Sequence, residues 1–235
     1  MACYRTKQLI LFDIDGTLIH PGAIARELLD SMVEETTGVS PMLKVEDVAG
    51  FTDPIILETA LRRTNFSDGA LSSMVDTLLE QYPARLEEAY LYHTEAFVYN
   101  DAVELARTIN EEEGWQVGLL SGNIRRAAEI KLKRFGLWEM FQFGLFGDDA
   151  RNREDLVWMA AEESLEVLGE SYTHDRMVLV GDTVQDVKAA KANGVRSLIV
   201  CRRSKTKNRI QSVGPTWLVD SLEETERIMT WLKAE

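Results

Sequence analysis

The chain has 235 residues, of which 45% are hydrophobic, and its formal net charge is −13 at pH 7. This size and apolar content fit one large domain, or a domain with a sizeable insertion, that can bury a packed core. The negative charge argues against nonspecific binding to nucleic acid or acidic membranes, and no apolar run is long enough to span a bilayer.

Six short apolar runs, bounded by turn residues, predict β-strands. They are apolar throughout instead of alternating, which is typical of strands that are covered on both faces. The predicted strands are Leu9–Ile14, Gln116–Ser121, Phe141–Phe146, Arg176–Gly181, Arg196–Cys201 and Pro215–Asp220.

Amphipathic helical patterns separate these strands. This alternation predicts an α/β fold with a doubly wound, Rossmann-like parallel sheet and right-handed crossovers. In such sheets the ligand lies at the carboxyl ends of the strands. The predicted helices are Ala102–Glu113, Ile124–Phe135, Glu154–Leu168, Val184–Ala192 and Leu222–Lys233.

One long segment, from His20 to about Phe97, contains no convincing strand. We therefore predict an α-helical cap of residues 21–97, inserted into an α/β core of residues 1–20 and 98–235, where it could lie over the strand ends as a lid. Its predicted helices are Ile24–Glu35, Pro54–Arg63, Leu71–Leu79 and Pro83–Tyr92.

The cysteine content indicates a reducing compartment. Two cysteines, Cys3 and Cys201, form neither a disulfide framework nor a metal cluster, and the apolar run near the N-terminus is too short for a signal peptide. We expect a cytoplasmic protein. The basic stretch Cys201–Arg209 is interpreted as a solvated loop.

Two carboxylates follow the first predicted strand in "DIDGT". Asp13 and Asp15 are two residues apart and point the same way from an extended segment. At a buried strand end they need a cation or a proton between their charges. An Asp-Gly turn is the alternative, but the apolar run before D-x-D-G-T argues against it.

Three further loops end predicted strands with polar residues. In "LLSGN", Ser121 or Asn123 either caps the next helix or completes an anion site at its N-terminus. In "GDDARNRED", Arg151 and Arg153 are either surface charges or a cation for the site. In "GDTVQD", a capping box explains the threonine and Asp186 but leaves Asp182 unexplained.

In a parallel sheet these four loops share one edge. Together they supply several carboxylates, a hydroxyl group, helix-end amides and a cation. The carboxylates suit Mg²⁺, and the amides, hydroxyl group and arginine suit phosphate oxygens. The sequence therefore predicts a site for phosphoryl transfer.

These motifs resemble those of the haloacid dehalogenase-like hydrolase superfamily over nearly the whole chain. "DIDGT" is similar to its first motif, "LLSGN" to its second, Arg153 to its third and "GDTVQD" to its fourth. The family usually has lysine at the third position. Arginine keeps the charge but presents a planar fork, and Arg151 is the alternative there.

The resemblance implies a role for each acid. Asp13 is the nucleophile that forms an aspartyl-phosphate, and Asp15 is the general acid and then the general base. Mg²⁺ is held by Asp13, by the main-chain carbonyl group of Asp15 and by Asp182. Asp186 supports either the waters of the metal or Arg153.

The resemblance also implies the phosphate contacts. Ser121 and the amides of Gly122 and Asn123 grip the phosphoryl group with Arg153, and Thr17 steadies the loop. An acid at position 15 and a threonine at position 17 favour the family's phosphatases and phosphomutases over its dehalogenases, because halide leaves without a proton.

The cap loop "AGFTDPIIL" resembles that of the phosphoglycolate phosphatase-like branch. Gly50, Thr52 and Asp53, together with His20, are candidate substrate contacts, although a Thr/Asp N-cap before Pro54 explains two of them equally well. The segment before the crossover helix, "VYNDAVEL", lacks the Pro-Gly pair that the branch tends to have.

The expected function is a Mg²⁺-dependent phosphatase of a small phosphorylated metabolite, with phosphoglycolate or a sugar phosphate as the first choices. A phosphomutase of the same fold and a non-catalytic binding module are the alternatives. We expect neither nucleic acid nor membrane as a partner. The motifs specify neither the substrate nor the oligomeric state.

Overall fold

The computed structural model describes residues 7–234, and a parallel β-sheet forms its centre. Six strands form this sheet in the order β5-β4-β1-β6-β7-β8, and every neighbouring pair is parallel. The six predicted strands are confirmed, with boundaries within two residues of those predicted; Cys3 lies outside the described residues. The strands of the chain are β1 (Gln8–Phe12), β2 (Ile19–His20), β3 (Phe97–Val98), β4 (Trp115–Leu120), β5 (Phe143–Leu145), β6 (Met177–Gly181), β7 (Arg196–Val200) and β8 (Trp217–Val219).

Helices cover both faces of the sheet. The helices are α1 (Ile24–Thr37), α2 (Val45–Val48), α3 (Asp53–Arg63), α4 (Leu71–Tyr92), α5 (Asn100–Asn110), α6 (Arg125–Lys133), α7 (Arg153–Leu168), α8 (Val184–Ala192), α9 (Ser204–Ser212) and α10 (Thr225–Lys233). Successive side chains of a strand point to opposite faces. Ile10 and Phe12 of β1 therefore belong to a buried cluster with residues of α5 and α10, and Leu9 and Leu11 to another with α7 and α8. The predicted doubly wound fold is confirmed. Within residues 7–234, no helix has both the length and the apolar character needed to cross a membrane.

The helices α1 to α4 lie between β2 and β3. They have their own buried cluster, which includes Leu29, Leu57 and Tyr82, and it extends to Ala127 and Ile130 of α6. The short antiparallel pair of β2 and β3 brings the two ends of this segment together. We call residues 21–97 the cap segment; its status as a separate domain stays a prediction.

Two local predictions were wrong. Residues 71–92 form one helix that continues through Pro83, because Tyr82 and Leu86 on either side of the proline are both fully buried in the same core. The basic stretch Cys201–Arg209 is not a loop throughout, because α9 begins at Ser204. Ile210 of this helix is buried and packs it against the core. Most of its basic side chains are exposed, as expected for a solvated face.

Candidate active site

The carboxyl end of β1 delivers the first two acids. Gly16 follows them with φ at +98°, a left-handed conformation that favours glycine, and a Cβ atom there would lie 2.3 Å from Oδ2 of Asp182. The tight turn thus places the β1 loop directly against the loop of β6. The hydroxyl group of Thr17 points back to Oδ2 of Asp13 at 3.4 Å.

Three acids from two loops meet at this edge. One carboxylate oxygen from each of Asp13, Asp182 and Asp186 lies within 4.8 Å of the others. The guanidinium group of Arg153, at the start of α7, joins them: its Nη2 donates to Oδ1 of Asp13 at 2.7 Å and to Oδ1 of Asp186 at 2.6 Å. The same nitrogen donates to the carbonyl oxygen of Leu120 at the end of β4, 3.1 Å away. Four strand ends therefore contribute to one buried cluster.

The structure separates the two candidate arginines. The side chain of Arg153 is 5% exposed and lies in the cluster, whereas that of Arg151 is 56% exposed and pairs with Glu58 of α3. The geometry thus supports Arg153 over Arg151 as the arginine of the site. Arg151 contributes only its carbonyl oxygen, which accepts a hydrogen bond from Thr52.

The loop after β4 is packed under the cap segment. The hydroxyl group of Ser121 accepts from the side-chain amide of Asn123 at 2.9 Å and from its backbone N–H at 3.3 Å. Gly122 leaves no space for a side chain, since a Cβ atom there would lie 2.1 Å from the carbonyl oxygen of Phe51. The predicted phosphate-binding loop is thus ordered by contacts to both parts of the chain.

The comparison with protein families agrees with this geometry. Residues 10–200 match the model of the haloacid dehalogenase-like hydrolase family. The chain belongs to this family.

Relatives within this hydrolase family include phosphatases. A phosphoglycolate phosphatase of Cereibacter sphaeroides is 24% identical over 80% of this chain and 82% of its own length. The pyrophosphatase PpaX of Bacillus cereus is 24% identical over 94% of this chain and 95% of its own length.

Solved structures share the fold. A predicted phosphatase from Clostridium acetobutylicum has a TM-score of 0.70 at 20% identity, covering 95% of this chain and 99% of that one. CbbY of Rhodobacter sphaeroides in complex with phosphate has a TM-score of 0.67 at 19% identity, covering 93% and 96%.

The acidic cluster of this hydrolase is electrostatically unbalanced. Burial raises the pKa of Asp13 to about 7, although Arg153 lowers it, and repulsion from Asp186 adds to the increase. Burial, followed by repulsion from Asp13 and Asp186, raises the pKa of Asp182 well above its ordinary value. One arginine therefore does not neutralise the three acids.

A magnesium ion fits these residues. Oδ1 of Asp182 is buried and has no hydrogen-bond partner within residues 7–234. Carboxylate oxygens are the ligands that Mg²⁺ prefers, and the family uses this metal. Both oxygens of Asp186 already have donors, from Arg153 and from Thr183. The geometry thus favours Asp186 as the support of Arg153 over a direct metal contact.

A cavity of about 320 Å³ opens beside the cluster, between the core and the cap segment. Asp13, Asp15, Ser121 and Arg153 lie on its core side. The cap-segment side is mainly apolar, and it includes Tyr82, whose hydroxyl group is buried without a partner within residues 7–234. Its apolar lining residues from the cap segment are Pro21, Ala23, Ala25, Leu29, Val45, Val48, Ala49, Phe51 and Ile56.

The candidate substrate contacts differ in their positions. His20, Gly50 and Asp53 line the cavity, whereas the hydroxyl group of Thr52 is engaged with the carbonyl oxygen of Arg151 at 2.7 Å. Nδ1 of His20 accepts from the backbone of Gly22 at 3.1 Å, so its Nε2 carries the proton when the ring is neutral. Three of the four predicted contacts therefore remain candidates by position.

Asp53 also ties the cap segment to the predicted phosphate-binding loop. Its backbone N–H donates to Gly122 at 2.8 Å, and its Oδ2 accepts from the N–H of Ile124 at 2.8 Å. Thr52 is the N-cap residue of α3 but makes no side-chain capping bond. Thr52 thus has the position of an N-cap residue without its side-chain bond. The carboxylate of Asp53 instead accepts at the start of a different helix, α6.

We expect Asp53→Asn to change the pH dependence of stability. Burial raises the pKa of Asp53 to about 7. Between roughly pH 4 and 7 the folded state then holds a proton that the unfolded state releases, so this group lowers the unfolding free energy as the pH rises, by about 1.4 kcal/mol per pH unit. Urea unfolding of the variant should show a shallower decline and higher stability than the wild type above neutral pH. Parallel pH curves would contradict this.

Sequence reasoning missed Lys131 of α6. Its side chain is 2% exposed, and its Nζ lies 2.5 Å from Oδ2 of Asp15 and 2.5 Å from Oδ1 of Asn123. In "AEIKLKRFG" a lysine suggests an exposed helix face, but its flanking positions Ile130 and Leu132 are themselves buried. The helical spacing from the buried Ala127 and Ala128 was the available signal.

Proposed function

We propose that this chain is a Mg²⁺-dependent phosphatase that hydrolyses a small phosphorylated metabolite through an aspartyl-phosphate on Asp13. The observation that carries the proposal is the meeting of Asp13, Asp182, Asp186 and Arg153 at one sheet edge, beside a cavity that Asp15 also lines. The family and its phosphatase relatives support the same class of reaction.

The residues divide the reaction into two steps. A carboxylate oxygen of Asp13 bonds to phosphorus as the bond to the leaving oxygen breaks, and Asp15 gives that oxygen its proton. Asp15 then takes a proton from water, whose oxygen attacks phosphorus and releases Asp13. Thr17 and Arg153 hold Asp13 in place, and Ser121 with the amides of Gly122 and Asn123 contacts the phosphoryl oxygens.

Asp13, Asp182 and the main-chain carbonyl group of Asp15 would hold the magnesium ion. When bound, the ion supplies positive charge that offsets the repulsion between the acids and the phosphate. Asp13, whose raised pKa opposes ionisation near neutral pH, would be ionised more readily beside that charge.

The cavity favours a phosphate monoester with a carbon skeleton. Leu29, Val48, Phe51 and Ile56 line the cavity from the cap segment together with Arg26 and Glu95, and the apolar part of this wall suits carbon atoms better than a second phosphate group. We therefore propose a sugar phosphate or a similar small organic phosphate over pyrophosphate. Phosphoglycolate, the substrate in the name of one relative, belongs in the same test.

A phosphate-release screen tests the function. The panel comprises sugar phosphates, nucleotides, phosphoglycolate and pyrophosphate, each with Mg²⁺ and with EDTA. We expect release from at least one organic monoester, with pyrophosphate slower and with loss of activity in EDTA. Isomerisation of a sugar phosphate without net phosphate release would indicate the phosphomutase instead. Magnesium binding without turnover of any compound would indicate a binding module.

A further inference from the structure

Lys131 is a buried cation outside the metal cluster. Placing an ammonium group in the interior is costly unless it is paired and hydrogen-bonded. Its Nζ meets that requirement through two oxygens, Oδ2 of Asp15 and Oδ1 of Asn123, each 2.5 Å away. Arg153 contacts Asp13 and Asp186, so the two buried cations of the site contact different acids.

The contacts of Lys131 distinguish the two oxygens of Asp15. Oδ2 accepts from Lys131 and, at 3.0 Å, from the side-chain amide of Asn123. Oδ1 has no hydrogen-bond partner within residues 7–234, and Asp15 lines the cavity. The carboxyl group is thus held through Oδ2, and its buried Oδ1 is the oxygen left without a partner among the described residues.

The same contacts connect the acid to the phosphate-binding loop. Asn123 donates to both Asp15 and Ser121 through its side-chain amide, while its carbonyl oxygen accepts from Lys131. These hydrogen bonds connect Lys131 of α6, through Asn123, to Asp15 and to the hydroxyl group of Ser121. Lys131 therefore fixes the acid relative to the place where phosphate would sit.

We propose that Lys131 is a positioning residue for proton transfer by Asp15, an inference that rests on the proposed phosphatase function. Lys131 and Asn123 hold Oδ2, so that Oδ1 exchanges the proton. As the phosphorus–oxygen bond breaks, Oδ1 gives its proton to the leaving oxygen; as water attacks the aspartyl-phosphate, Oδ1 takes a proton from that water.

A purely structural role of Lys131 and a positioning role lead to different expected kinetics. Alkoxide leaving groups need a proton, whereas p-nitrophenolate leaves without one. Loss of a positioned general acid lowers rates by about 10²–10⁴-fold. It should therefore lower kcat/KM, which reports the steps up to leaving-group release, for alkyl phosphates far more than for p-nitrophenyl phosphate.

The experiment compares Lys131→Met and Lys131→Gln with Lys133→Met. Lys133 lies on the same helix, with a side chain that is 53% exposed, and it is the matched control. We expect Lys131→Met to lower kcat/KM about 100-fold for the best alkyl phosphate of the screen and less than about tenfold for p-nitrophenyl phosphate. Lys131→Gln keeps a hydrogen-bond donor and should recover part of the loss. Lys133→Met should resemble the wild type.

A double-mutant cycle completes the test. If Lys131 acts through Asp15, then Lys131→Met should add little to the loss already caused by Asp15→Asn. Thermal unfolding verifies that each variant is folded. Equal losses for both substrates, or additive losses in the cycle, would overturn the inference and leave the phosphatase function intact. A wild type that hydrolyses neither substrate would overturn both.

Discussion

Asp13→Asn is expected to abolish turnover, with a loss of at least about 10³-fold in kcat for every substrate. The amide keeps the shape of the side chain and can still accept the hydrogen bond that Arg153 donates at 2.7 Å. It cannot form the aspartyl-phosphate. Phosphate release in the presence of Mg²⁺ measures the effect.

Stability separates this effect from unfolding. Because burial raises the pKa of Asp13 to about 7, its ionised form is unfavourable in the metal-free protein near neutral pH. Removing that charge should leave the unfolding free energy in EDTA unchanged or higher above neutral pH. Asp76→Asn, on an exposed position of α4, is the matched control and should retain full activity.

The covalent role has a direct readout as well. Acid quenching during turnover should trap a phosphorylated wild-type chain, which mass spectrometry of the intact protein would detect. The same treatment of Asp13→Asn should yield no phosphorylated chain. A variant that keeps more than a few per cent of the wild-type rate would refute Asp13 as the nucleophile.

The strands and the acids could be predicted from sequence because both have local causes. A strand covered on both faces must be apolar along its whole length, as Leu9–Phe12 is, and its end is visible where the acids begin. Parallel strands place their carboxyl ends at one edge, so separate motifs such as those of Asp13 and Asp182 could be assigned to one site before any coordinates were known.

The remaining features depend on contacts between distant segments. Lys131 is 116 residues from Asp15 in sequence, and the two side chains meet only in the folded protein, where α6 packs against the cap segment. Helix α4 continues through Pro83 because tertiary burial of Tyr82 and Leu86 outweighs the local preference of proline to end a helix. Both features were missed for the same reason: packing outweighed the usual preference of lysine for the surface and of proline for a helix end.

The sequence favoured Arg153 over Arg151 but did not settle the choice between them. Each has an acid or amide neighbour in "GDDARNRED", and either could open α7. The structure distinguishes them by direction: one side chain enters the cluster and the other reaches Glu58 at the surface. Removal of the two side chains should therefore have different effects.

Arg153→Met is expected to lower both activity and stability, and the stability loss should depend on pH. The variant leaves Asp13 and Asp186 without the cation that now contacts both. Breaking a buried ion pair costs about 3–5 kcal/mol, and losing the cation that lies beside the proposed nucleophile should cost about 10²–10³-fold in rate. Phosphate release and urea unfolding measure the two effects.

The sign of the pH dependence follows from the acids. Arg153 lowers the pKa of Asp13, so its removal raises that pKa further above the value in the unfolded chain. The folded variant then binds protons more strongly than the unfolded one, so its stability falls as the pH rises toward and beyond neutrality. We expect the difference in unfolding free energy between the variant and the wild type, measured in EDTA, to be larger near pH 8 than near about pH 5.

Magnesium and a matched variant make this prediction specific. Mg²⁺ should restore part of the lost stability near pH 8, because Asp13 and Asp182 can share the ion in place of the missing guanidinium group. Arg151→Met removes a side chain that is 56% exposed, and it should cost less than about 1 kcal/mol and leave the rate within about threefold. If Arg151→Met proved the more damaging of the two, the assignment of Arg153 as the cation that holds Asp13 would be wrong, and the electrostatic account of the cluster would fail with it.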